Sequence, residues 1–178
     1  MILGLRVGEA PPSPVIVGAG VALTAAGELI RLWGVRHIGA VSRTRSDRLG
    51  PLVDTGPFAV IRNPLYVGNI LIWAGFALSA RLVWLAPIAV LLLGAEYHAI
   101  VRWEESFLTS RFGDAYRAYA DRVPRWWPRG LTGVRHVSDT GEGATQGSFS
   151  WTETLFSERG TFVAIAVGYL LLWIKARF

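Results

Sequence analysis

The sequence predicts an all-α integral membrane protein with about four transmembrane helices, a tight helical hairpin in the middle, and a cytoplasmic helical and loop segment before the last helix. Three observations predict it. Apolar residues make up 52% of the 178 and fall in long runs, with a mean hydropathy of +0.37. The arginines gather between those runs, as in loops that set membrane topology. No alternation of strands and helices is present that could build a parallel sheet.

The first apolar segment runs from about Pro14 to Val35 and is rich in Val, Ala, Leu and Gly. The Met-Ile-Leu start has no concentrated basic region and no cleavage site comes after it, so the segment reads as a spanning helix rather than a signal peptide. The second runs from Leu65 to Ala80 and the third from Leu82 to about Val101, with only Arg81 between them. Each is near the lower length for a bilayer core of about 30 Å. The fourth runs from about Thr161 to Ile174, with Lys175 and Arg177 placed to snorkel to the interface. Between the third and fourth, Arg102 to about Arg122 reads as a helix with an aromatic stripe. VPRWWPR over 123–129 breaks it with two prolines, and His136 to Ser150 reads as a flexible loop. The whole chain, 1–178, reads as one domain with a motif core over 56–128.

Composition excludes several classes. With no cysteine there is no disulfide, thiolate metal site or cysteine nucleophile. The three histidines, His37, His98 and His136, have no zinc-binding spacing, and no metal is expected. Dinucleotide, phosphate-loop and nucleophile-elbow motifs are absent. The net charge of +5 is carried by arginine, with Lys175 the single lysine. Thirteen basic residues lie in the two long polar segments and four at the other end, Arg6, Arg81, Lys175 and Arg177. The positive-inside rule then puts the polar segments in the cytoplasm and both termini outside. The arginine-rich composition and short architecture fit a bacterial inner membrane, with no nucleic-acid partner.

Three clusters could carry chemistry. In the first, Gly56-Pro57-Phe58 precedes Arg62-Asn63-Pro64-Leu65-Tyr66-Val67-Gly68. Pro64 fits the first turn of the second helix, Asn63 could cap it, and the exposed N–H groups beside Arg62 could take an anion or polar ligand. A capped helix with an interfacial arginine accounts for the same residues. In the second cluster His98, Arg102 and Glu105 share one helical face, and Tyr97, Val101, Glu104 and Leu108 the next. Ionisable groups at a helix's membrane end are costly unless paired or functional; an ordinary Arg–Glu pair is the plain alternative. Glu96 lies deeper. The third cluster is Phe112, Tyr116, Tyr119 and Arg125, whose aromatics could equally be packing. Near the end of the first helix, Glu28 and Arg31 are expected to pair with each other or with a headgroup.

In this order, GPFAVIRNPLYVGN, then Glu104-Glu105, then FGDAYRAYADRVPRWWP resemble the membrane methyltransferase superfamily of isoprenylcysteine carboxyl methyltransferases and phospholipid N-methyltransferases. The resemblance covers about Gly56 to Pro128. It implies S-adenosylmethionine at the cytoplasmic side, between the start of the second helix and the end of the third. Asn63, Pro64, Leu65, Tyr66 and Gly68 would line the cofactor pocket with Arg62 in support. Glu104 and Glu105 would hold the methionine ammonium, and Tyr116, Tyr119 and Arg125 would close the site. The isoprenylcysteine enzymes usually have His where this chain has Asn63; Asn-Pro occurs in the phospholipid branch and in many uncharacterised bacterial members.

The reaction so implied is in-line methyl transfer to a lipid-like acceptor entering from the bilayer, resembling that of isoprenylcysteine carboxyl methyltransferase, with a phospholipid (ethanolamine) N-methyltransferase as the alternative. A carboxylate acceptor needs no base; an amine must lose a proton, with help from Glu96, His98 or Glu105. Arg102 or Arg125 could orient an anionic acceptor. Two other readings stand beside this one: an NADPH-dependent membrane reductase related to sterol reductases, and a non-enzymatic membrane scaffold.

Overall fold

The computed structural model describes residues 8–39, 52–128 and 150–177. The expected loop from His136 and the arginines Arg6, Arg43, Arg45, Arg48, Arg129 and Arg135 lie outside the described residues, apart from Ser150 at the loop's end. The chain is all-helical over these residues. Helix α1 spans Pro14–Ile38, α2 Pro64–Ser79, α3 Leu85–Phe112, α4 Asp114–Arg122 and α5 Trp151–Arg177. A short 3-10 turn, Gly56–Ala59, precedes α2.

Local signals set most of the boundaries. The Ser13 hydroxyl accepts from the Ile16 amide at 3.4 Å, and Pro14 occupies the first turn of α1. Gly39, at φ 67°, ends that helix. Gly113, at φ 55°, separates α3 from α4. The amide of Gly113 closes back on Thr109 O at 2.9 Å.

The core is a helix pair rather than a central apolar cluster. On α1, Gly20, Gly27 and Gly34 recur every seventh residue, and Gly68 and Gly75 do the same on α2. A Cβ at Gly27 would fall 2.6 Å from Gly68 O, and one at Gly75 2.6 Å from Gly20 O. The two backbones therefore touch along an antiparallel seam that side chains would wedge apart. In lipid, where burying apolar groups gives no drive between helices, such close van der Waals approach is what holds them.

The outer helices face the other way. Among the described residues of α3, Val101 alone is buried, while Leu91 is 72% exposed. Helix α5 exposes Val163, Leu170 and Trp173. An exterior this apolar suits hydrocarbon and not water. Helices α1, α3 and α5 are long and apolar enough to cross a membrane. Helix α2, at 16 residues, is about 24 Å long by helical rise, short of a full core thickness.

Several boundaries differ from expectation: the third helix starts at Leu85 instead of Leu82, and the helix expected over Arg102 to Arg122 is divided at Gly113 between α3 and α4. The third helix does not stop near Val101 but runs unbroken to Phe112, because no breaker occurs before Gly113. The fourth begins at Trp151, about ten residues before Thr161. Its opening WTETLFSERG is too polar to read as membrane helix, yet Thr154 and Glu158 are fully buried against the bundle. These two polar residues face inward, while Thr152, Glu153 and Arg159 stay exposed, a division hydropathy cannot recognise.

The hairpin turn between α2 and α3 holds Arg81 at φ 62°, a conformation costing a non-glycine residue roughly 1 kcal/mol. Glu9 ion-pairs with the Arg81 guanidinium, and the Ala10 amide donates to Arg81 O at 2.9 Å. The other oxygen of Glu9 meets Lys175 Nζ at 2.6 Å. Lys175 is thus engaged within the protein instead of snorkelling, and Arg177 lies over the Trp173 ring at 5.0 Å. Arg81 and Lys175 share one end of the bundle, the end opposite Asn63, Glu105 and α4.

Candidate functional site

At that second end, the segment before α2 is gripped by the residues just after α4. The Arg62 amide donates to Pro124 O at 2.9 Å. The Asn63 side-chain amide donates to Arg125 O at 3.1 Å. The Tyr119 hydroxyl, deeply buried, donates to Phe58 O at 2.8 Å. Asn63 therefore does not cap α2 with its side chain as expected; its amide is consumed in fixing Arg125. Pro64 does occupy the first turn, fully buried.

This docking brings Arg62 and Arg125 to Glu105 on α3. Arg125 holds the carboxylate with two bonds, Nε to Oε1 at 2.9 Å and Nη2 to Oε2 at 2.6 Å. Arg62 Nη1 lies 3.1 Å from Oε1. Such a forked pair fixes the carboxylate's position and orientation. Beside it opens a cleft of about 560 Å³ lined by Arg62, Arg102, Glu105, Tyr116, Arg117 and Arg125, with Ser106, Thr109, Ala120 and Asp121. Four arginines face two carboxylates there, so the cleft is basic although an acid sits at its centre. Arg62 Nε is buried with no hydrogen-bond partner, a donor held in reserve at the wall.

The titration of the wall comes from its burial. Burial pushes the Tyr116 hydroxyl up, and the Glu105 charge adds to it, while a hydrogen bond and charge from Arg62 pull back. Burial likewise raises Tyr119. The hydrogen bonds to Glu105 raise Arg125 further. The tyrosines are neutral donors and the arginine a permanent cation.

The two adjacent glutamates serve different faces. Glu104 points away from the cleft to α2, where the Tyr66 hydroxyl donates to Oε1 at 2.9 Å. Tyr66 in turn packs on Tyr97, ring centroids 4.7 Å apart. Other residues singled out from the sequence lie away from this centre. Gly68 faces α1, where a Cβ would fall 2.6 Å from Arg31 Cγ. Leu65 packs over Gly34. His98 is exposed and lies against Trp126, ring centroids 6.5 Å apart. Neither His98 nor Glu96, also exposed, lines the cleft. Arg102 does, from its exposed rim.

One polar group escapes a reading of the sequence. Arg31 does approach Glu28, at 3.7 Å, but its main partner is Glu158 on α5, at 2.6 Å from Nη2 and 3.1 Å from Nε. Arg31 also donates to Asn69 on α2 and to the Thr161 hydroxyl. The one available signal is general: ionisable residues inside membrane helices seek partners across helices.

Known proteins share parts of this chain. The phospholipid methyltransferase family model matches residues 15–115, which takes in α1 to α3 and the start of α4. A nickel-cobalt-cadmium resistance protein, NccN, of Alcaligenes xylosoxydans xylosoxydans is 33% identical over 99 residues, 56% of this chain and 43% of the relative. A cobalt-zinc-cadmium resistance protein, CzcN, of Cupriavidus metallidurans is 29% identical over 117 residues, 66% of this chain and 51% of the relative. The chain spans about half the length of these curated relatives. No solved structure matches it. Among the described residues no group of three or more His, Asp or Glu is placed to hold a metal ion.

Proposed function

The chain belongs to the phospholipid methyltransferase family, and from that premise we propose that it transfers a methyl group from S-adenosylmethionine to a lipid-like acceptor at the cytoplasmic membrane face. The observation that carries the reading is the clamped Glu105, an oriented carboxylate in a basic cleft at the mouth of the helix pair.

The residues present fit the cofactor. Glu105 offers an anion to an ammonium, the idle Arg62 Nε offers a buried donor to a carboxylate, and Tyr116 a neutral hydroxyl. The cleft, about 560 Å³, is within the size range of small-ligand sites. When bound, the sulfonium supplies an activated methyl group. The chain's own contribution is position and electrostatics. Arg125 and Arg62 fix Glu105, so the ammonium-binding carboxylate is preorganised. Glu104, held by Tyr66, lies on the α2 side of the same helix end. Arg102 and Arg117 leave the cleft with excess positive charge, which favours an acceptor carrying a phosphate or carboxylate beside its nucleophile. An Asn63-Pro64 start to α2 supports the phospholipid branch over isoprenylcysteine. The resistance proteins among its relatives make metal stress the setting in which we place the activity. The charge asymmetry of the loops supports a cytoplasmic site with both termini outside.

Calorimetric titration of detergent-purified protein tests the cofactor. S-adenosylmethionine and S-adenosylhomocysteine should bind at micromolar level and NADPH should not, with binding lost in Glu105→Gln. Binding of NADPH alone would move the protein to the reductases, and no binding of any of the three would leave a scaffold.

A further inference from the structure

Helix α5 lies wholly beyond the family match at residue 115, yet it enters the bundle through its most buried charge. Glu158 is fully buried and holds Arg31 of α1 through two nitrogens, at 2.6 and 3.1 Å. By helical rise this pair sits roughly 10 Å below the α1 end that faces the cleft. Arg31 does not end there. Its Nη1 donates to the Asn69 side-chain oxygen on α2, and Asn69 Nδ2 donates to the Tyr97 hydroxyl on α3 at 3.3 Å. The ring of Tyr97 packs on Tyr66 at 4.7 Å, and Tyr66 donates to Glu104 at 2.9 Å. Helical spacing makes this possible: Tyr66 and Asn69 share a face of α2, and Tyr97 and Glu104 share a face of α3.

We propose that Glu158 is a positioning residue: through Arg31, Asn69 and the Tyr97–Tyr66 pair, α5 sets the orientation of Glu104, and with it the turn of α3 that presents the adjacent Glu105 to the cleft. The final helix is then a functional addition to the family core and not a passive membrane anchor. A buried ion pair suits the task, because its cost is offset only in one geometry and it therefore fixes the register of the helices it joins. Each link is a directed contact between two helices, so a displaced α5 turns Asn69 and withdraws support from Tyr97 and Tyr66. The functional part of this inference rests on the methyltransferase reading; the relay itself does not.

Two readouts separate the two. Fluorotyrosine placed at position 66 of the full-length protein in detergent reports the relay by fluorine NMR without any ligand, and calorimetry with S-adenosylmethionine reports the site. Glu158→Gln should shift the Tyr66 resonance and weaken cofactor binding about tenfold. Lys175→Gln removes the ion pair at the other end of α5 and should move neither. Asn69→Leu, which cuts the relay without touching the ion pair, should shift the same resonance and decides the matter if Glu158→Gln does not fold. A Tyr66 resonance unmoved in Glu158→Gln or Asn69→Leu overturns the relay, as does an equal shift in Lys175→Gln. A shifted resonance with unchanged affinity overturns the positioning role. A shifted resonance in a protein whose wild type binds no S-adenosylmethionine leaves the relay standing and removes the methyltransferase reading.

Discussion

The two ends of the bundle are built from the same ingredients and end up different. At one end Glu9 lies between Arg81 and Lys175; at the other Glu105 lies between Arg62 and Arg125. Each is one carboxylate between two cations. The Glu9 group ties the start of the described chain, the α2–α3 turn and the end of α5 together. The Glu105 group has the cleft, two further arginines, a neutral tyrosine and a buried donor with nothing to bind. What marks the Glu105 end as a site is therefore the cleft and the donor capacity beside the ions, not the ions themselves, which both ends share.

Both ends hang on the glycine seam, so the largest effect comes from spoiling it. Gly27→Leu puts a branched side chain where even a Cβ would lie 2.6 Å from Gly68 O. The α1–α2 pair should fail to form, visible as aggregation in detergent and loss of the thermal transition. Gly94→Ala is the contrast: a Cβ there meets nothing within 4 Å, and the change should be neutral or stabilising by about 0.5–1 kcal/mol.

Next in size is Glu105→Gln, which should reduce S-adenosylmethionine affinity about a hundredfold or more and cost roughly 1–3 kcal/mol of stability, since two guanidinium groups lose their counter-charge and one of the two acceptor oxygens becomes an amide donor. Equal cofactor affinity in wild type and variant would make the two ends equivalent staples.

The tyrosines at the cleft end give that end an alkaline signature. Tyr116 and Tyr119 have hydroxyls raised above the ordinary 10.0, first by burial. A raised folded value gives a contribution complete below the unfolded value and lost as pH climbs towards the folded one. Thermal stability should hold level to about pH 10 on this account and fall above it. Tyr119→Phe should blunt that fall while removing the bond to Phe58 O, worth about 1 kcal/mol. An alkaline melting profile identical to wild type would detach the tyrosines from it.

The sequence disclosed these features unevenly. The apolar runs, the Pro64 start and the hairpin at Arg81 could be read because each is a local signal. Membership of the membrane methyltransferases was legible from three short motifs in order, none of them decisive alone. Helix α5's polar first third was hidden, because hydropathy measures average composition while Thr154 and Glu158 are buried on one face only. The seven-residue glycine spacing is present in the sequence but mute there, since its meaning depends on a second helix carrying the same spacing. Glu104 and Glu105 lie next to each other in sequence, yet consecutive helical positions point about 100° apart; which one faces the cleft is decided by where Tyr66 and Arg125 arrive. Long-range partners of this kind, Arg31 with Glu158 above all, have no local trace.

The smallest effect on activity belongs to the staple itself. In Glu9→Gln the neutral amide keeps most of the shape but gives up charge pairing with both Arg81 and Lys175. Arg81 also loses part of what holds it at φ 62°. The cost should be about 1–2 kcal/mol of stability, felt as a lower melting temperature. The α2–α3 turn keeps its backbone bonds, Leu82 N to Ala77 O and Arg81 N to Leu78 O, so the helices stay in register. S-adenosylmethionine affinity and methyl transfer at moderate temperature should match wild type, because nothing in the Glu105 group depends on Glu9. A variant that kept its melting temperature but lost cofactor binding would reverse the assignment, making the Glu9 end a partner in function and the distinction between the two ends false.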